Sequence, residues 1–137
     1  MTYRSGYRAA AIAALKSAPL MRGATVLSAW AGSIDVETLP VMGVVTPQER
    51  SKPSTHGSFE RVTMMQVVLK RTGGDDLEDI LDADAAEIEP VIMMAVGSGD
   101  VQCLLEDLSI VVNAEGGQKI GTLIQTFRVT SWRSLGP

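Results

Sequence analysis

The sequence has 137 residues, the size of one ordinary domain (1–137), and is 45% hydrophobic and 20% charged. That composition excludes a disordered chain and leaves enough length to bury a core without disulfides or metal. The net charge of −4 is uneven: Asp75, Asp76, Glu78, Asp79, Asp82, Asp84, Glu87 and Glu89 stand together with no base among them, so the remaining chain is mildly positive. The plain reading is a solvated acidic helix face, and a basic partner or a neighbouring copy could also read the asymmetry. Specific nucleic-acid binding is not expected, because the bases are scattered with almost no aromatics among them.

Along the chain, Ser5 is the expected cap of a first helix that runs to about Ala18, with Pro19 as its stop. Tyr7, Ala11, Ala14, Leu15 and Ala18 fall on one side of it at helical spacing. Arg4, Arg8 and Lys16 are spread through this alanine-rich stretch, which lacks the apolar block of a signal peptide. No apolar run approaches the roughly 18 residues a membrane span needs. Two short extended segments follow, Ala24 to Trp30 and Val41 to Thr46, separated by the turn-prone Gly32-Ser33 and ended by Pro47. Thr46 to Ser58 has prolines, serines, Gly57 and mixed charge without an apolar period, so a long loop is expected there, mobile until a partner orders it.

Phe59 to Arg71 reads as a long strand. Val62, Met64 and Val68 would share one face and Met65, Val67 and Leu69 the other. A strand with one wet face alternates apolar and polar, so both faces of this one are expected to be covered, one by helices and one by a second layer or another subunit. Gly73-Gly74 breaks the strand and a second helix starts near Asp75. Leu77, Ile80, Leu81, Ile88, Val91, Ile92 and Ala95 recur at helical spacing, and Pro90 either kinks or divides the helix. Val101 to Asn113 and Lys119 to Trp132 then form a hairpin turned at Glu115-Gly116-Gly117, with Leu108, Ile110 and Val112 alternating in its first arm. The order predicts an α+β fold, a mainly antiparallel sheet of about five strands with two helices packed on one face.

Chemistry is sparse. His56 is the only histidine and Cys103 the only cysteine, so a two-histidine zinc site and an internal disulfide are both excluded, and the free thiol suits a reducing cytoplasm. The second helix's carboxylates lack the spacing of a calcium loop, and Gly73-Gly74 and Gly97-Ser98-Gly99 have no phosphate-loop context. No catalytic residue, cofactor or metal is expected, and binding and assembly are the expected job.

Three stretches carry a resemblance: Arg8-Ala9-Ala10-Ala11-Ile12-Ala13-Ala14-Leu15, then Leu39-Pro40-Val41-Met42-Gly43-Val44, then Asp76-Leu77-Glu78 followed by Ile88-Glu89-Pro90-Val91. Together with the length, the order of elements and the late hairpin, they resemble the tail terminator proteins of long-tailed, lambda-like bacteriophages. The segment from Pro47 to Ser58 departs most from that pattern. The resemblance implies a structural virion protein that caps the tail tube as a homohexameric ring, stops its polymerisation and presents a surface for joining the head. Its implied partners are further copies of itself, the tail tube protein and the head–tail connector protein, with no membrane. Its implied places are the virion tail and, during assembly, the host cytoplasm. A ring built from a heterologous interface needs two complementary surfaces on one protomer. The candidates are the acids Asp75, Asp76, Glu78, Asp79 and Asp82 against the bases Arg50, Lys52 and Arg61. A neck or connector protein of the same fold, and a small adaptor that adds a peptide to a sheet edge, are the competing readings.

Overall fold

The computed structural model describes residues 2–18, 23–30, 36–55, 57–115 and 118–134. Helix α1 is Tyr3–Ser17. Its cap is Thr2 rather than the expected Ser5: Thr2 Oγ1 accepts from the Ser5 amide at 3.3 Å, and the Ser5 hydroxyl donates back to the Thr2 carbonyl at 2.9 Å. A threonine in extended backbone just before the first turn satisfies an amide that a serine inside the turn cannot. The buried stripe is Tyr7, Ala11 and Leu15. Pro19 and Gly32-Ser33 lie outside the described residues.

Strand β1 keeps only Thr25–Val26 of the expected Ala24–Trp30 and runs parallel to the start of the next strand, Thr25 against Val41 and Val26 against Met42. A 3-10 turn, Val36–Thr38, and a cis Leu39–Pro40 peptide lead into β2, Val41–Thr55. Here the expected loop from Thr46 to Ser58 is corrected. Strand β2 continues to Thr55 and, through a turn at Gly57 (φ 73°), folds back as β3, Ser58–Gly73. Two features let a proline-containing polar segment be a strand. Pro47 falls in the register break between Val45 and Gln48, so its missing N–H costs no ladder bond. Residues Arg50 to Thr55 are exposed, so this arm projects beyond the core and needs no apolar period.

Helix α2, Leu77–Val96, is continuous through Pro90, neither divided nor ended by it. Pro90 and Ala86, whose carbonyl loses its helical donor, are both exposed, so water can take that bond. Strands β4, Gln102–Glu115, and β5, Gln118–Ser134, form the expected hairpin, with Gly116-Gly117 outside the described residues. The sheet order is β1-β2-β3-β5-β4, antiparallel except for β1, which makes a five-stranded mixed, mostly antiparallel sheet with two helices, an α+β fold.

Register and alternation assign the faces. Met42, Val44, Met65, Val67, Leu69, Leu123, Phe127 and Val129 share one face of the sheet, and the buried core cluster that contains them also contains Tyr7, Ala11 and Leu15 of α1 and Leu77, Leu81, Ile88 and Ile92 of α2. Gly121 belongs to this contact, since a Cβ there would lie 2.5 Å from Leu81 Cδ1. On the other face Val68 is buried, whereas Val62 and Met64 are only half-buried and lie among charged side chains.

Candidate functional site

The eight nominated residues separate into two regions at opposite ends of β3. Asp75, Asp76, Glu78, Asp79 and Asp82 are all exposed where β3 gives way to α2, and the helix dipole favours acids at that end. Asp76 occupies the cap position without a side-chain bond to the helix. Lys119 Nζ donates to Asp75 Oδ1 at 2.9 Å, and that bond together with the lysine charge holds the Asp75 carboxyl below its usual range. The bases stand at the far end. Twelve strand positions separate Arg61 from Gly73, about 40 Å at the usual rise.

The bases are not one patch. Gln48 pairs with Met64, Arg50 with Val62 and Lys52 with Glu60, so Arg50 and Lys52 point to the Val62 face. Arg61 alternates with Val62 and belongs to the Met65 face, where its guanidinium lies 5.4 Å from the Phe59 ring centroid. Grouping the three as one surface is therefore corrected by the two-residue period of the strand.

Arg50 and Lys52 line an open concavity of about 580 Å³ on the Val62 face, with Val62 and Met64 as its floor and Glu60, Glu106 and Arg128 around it. Lys52 Nζ is 3.6 Å from Glu60 Oε1, and Arg128 donates to Glu106. The site offers charge of both signs over a small apolar floor, which suits recognition of a polar surface. Sequence reasoning passed over Arg128, although its place between the buried Phe127 and Val129 marks it as facing the other side of β5.

A second polar cluster ties α1 to the sheet. Tyr3 Oη donates to Glu49 Oε2 at 2.5 Å, Thr63 Oγ1 donates to Glu49 Oε1 at 2.6 Å, and Arg4 Nη2 donates to the Thr46 carbonyl at 2.5 Å. The Arg133 guanidinium lies 4.0 Å from the Tyr3 ring centroid and donates to Tyr7 Oη at 3.0 Å. Burial pushes the Glu49 carboxyl up, but the Thr63 and Tyr3 hydrogen bonds and the Arg4 charge outweigh it and hold the group below its ordinary value. Burial, and then the bond to Glu49, push the Tyr3 hydroxyl up. This cluster fixes the root of the β2–β3 arm, so it positions Arg50 and Lys52.

Asp84 corrects the acidic face in one place. It is buried, with Arg71 Nε 2.5 Å from its Oδ2, so it braces α2 against β3 and is closed to solvent. Cys103 is buried beneath α2 and burial pushes its thiol up to about 11, which leaves it protonated and unreactive near neutrality. His56 lies outside the described residues. Among the described residues no group of three or more histidine, cysteine or carboxylate side chains is placed to hold a metal ion, and no helix is long and apolar enough to cross a membrane.

No protein-family model matches this chain, and neither does any curated protein. Its functional reading therefore stands on the geometry above and on the sequence resemblance.

Proposed function

We propose that this chain is a structural virion protein of the tail terminator type. It closes into a homohexameric ring on the end of the phage tail tube, stops polymerisation and offers the head–tail connector protein a surface to join. Its partners are further copies of itself, the tail tube protein and the connector; membrane and specific nucleic-acid binding are outside the reading, as are catalysis, metal and cofactor. It belongs in the virion tail and, during assembly, in the host cytoplasm. Both helices cover the Met65 face in this reading, which leaves the Val62 face and the two hairpin arms for neighbours.

One observation carries the proposal: exposed acids stand just past one end of the paired β2 and β3 strands, and the exposed bases Arg50 and Lys52 stand on β2 toward the other end. A head-to-tail contact between identical subunits needs two different, complementary patches on one protomer. Here the collar of Asp75, Glu78, Asp79 and Asp82 meets Arg50 and Lys52 of the next copy, and opposite potentials set orientation and encounter rate. Sedimentation with and without tail tube protein tests it, followed by electron microscopy of assembled tails. The Arg50→Ala, Lys52→Ala double variant should stay folded and assemble more weakly, with the defect growing as salt is lowered. Monomers on intact tails, or a double variant that assembles normally, would sink the proposal.

A further inference from the structure

We propose that the outer edge of β4 from Leu108 to Ala114 is a strand-docking site for an extended segment of another protein, apolar in its middle and basic at both ends. The inference is independent of the ring reading. Among the described residues, strand β4 ends the sheet order and pairs only with β5, so one side of its backbone is an open row of N–H and C=O groups. Native edges are normally blunted by proline, lysine, bulges or shortness, because an open edge recruits another strand. The outer side of β2 is blunted in this way by Pro47, Pro53 and Lys52. Strand β4 is not: from Gln102 to Glu115 it has no proline, lysine or arginine. Its one bulge, between Leu105 and Asp107, lies before the segment, and pairing with β5 then runs unbroken from Asp107–Thr126 to Glu115–Gln118.

The side chains of the same segment add a second reason. Leu108 is 41% exposed, Val111 48% and Val112 40%. Opposite them on β5 stand Gln125, Thr122 and Gly121, which places Leu108 and Val112 on one face and Val111 on the other. An arm apolar and exposed on both faces, with an open edge between them, fits a partner strand whose alternate side chains extend those two faces while its backbone completes the ladder.

Charge selects the occupant. Asp107 stands at one end of the segment and Glu115 at the other. Antiparallel pairing of the whole segment with a second copy would centre on Val111 and set Asp107 opposite Glu115, and like charges directly opposite destabilise a strand pair. A parallel pair in register would set Asp107 beside Asp107. A foreign strand with lysine or arginine at its ends turns both repulsions into attractions.

The test uses the full chain, labelled for amide NMR, and a soluble probe peptide of alternating threonine and valine with lysine at each end. The expected result is amide shifts centred on Leu108 to Ala114, with affinity about tenfold above that of the same peptide ended by glutamate. Val111→Lys should abolish the shifts, and Val112→Lys, on the opposite face, serves if the first variant melts early. Shifts elsewhere, equal affinity for the two peptides, or no binding would overturn the proposal. So would a concentration-dependent doubling of mass that either lysine variant removes, because the occupant would then be a second copy.

Discussion

Replacing Asp84 with alanine removes one half of the ion pair that joins α2 to β3. Arg71 Nε lies 2.5 Å from Asp84 Oδ2 and Nη2 lies 3.3 Å from Oδ1, a two-point contact, and both side chains are withdrawn from water, with 8% and 1% exposure. Truncating Asp84 breaks this buried ion pair while the guanidinium charge stays in place, which costs about 3–5 kcal/mol. For a domain of this size about 1 kcal/mol shifts the melting temperature by roughly 3–4 °C, so the drop should be about 10–20 °C. Removing both charges behaves differently. The Arg71→Met, Asp84→Leu double variant relieves the desolvation of both ions and should recover most of the loss, or exceed the parent. Thermal unfolding followed by circular dichroism, completed as a double-mutant cycle, measures both. A cost below about 1 kcal/mol for Asp84→Ala would mean that water reaches the pair. A double variant as unstable as the single would mean that the pair sets the position of α2 rather than merely neutralising itself.

Gly121→Ala should destabilise by about 1–3 kcal/mol, because the new methyl would lie 2.5 Å from Leu81 Cδ1 and 3.1 Å from Leu77 side-chain atoms where α2 crosses β5; chemical denaturation reads the loss, and an unchanged midpoint would refute the close approach. Glu49 is held below its ordinary value in the folded chain, so its stabilisation is fully present above the unfolded glutamate value of about 4.3 and drains away as pH falls through the lower folded value. The Glu49→Gln variant should therefore show a flatter decline of stability below that pH, and a decline as steep as the parent's would assign it to other carboxylates.

The long strand β3 and the two helices were legible because burial writes a period into them: two residues in Met65, Val67 and Leu69, and three to four in Leu77, Leu81, Ile88 and Ile92. The β2 arm was not. Its ladder is satisfied by β3 while its side chains stay in solvent, so no apolar period marks it, and Pro47 looks like a breaker until the register break that accommodates it is seen. Asp84 illustrates a second kind of illegibility. It falls on the same helical stripe as Leu81 and Ile88, so its spacing places it in the core, but its charge and seven acidic neighbours argue for the surface. What decides the matter is Arg71, which comes from another element, and that pairing is written nowhere locally. The nominated site shows the same limit. Charge sign and sequence position located the acidic collar, whereas strand parity, a property of pairing, separated Arg61 from Arg50 and Lys52.

The placement of β3 between β2 and β5 has a consequence in time. Its partner on one side is the strand just before it, joined by a tight turn, but its partner on the other side arrives only after α2 and β4 have been made. A chain emerging in order can close the β2–β3 hairpin early, since that contact is local. It then holds β3 with one ladder unmade and Met65, Val67 and Leu69 without Phe127 and Leu123 beside them until β5 is complete. Pairing across such long sequence separations forms slowly, and apolar strand edges are sticky while they wait. Synthesis of this chain thus passes through an interval in which the strand that carries Met65, Val67 and Leu69 is half-paired, and the yield of native protein depends on how quickly β5 follows.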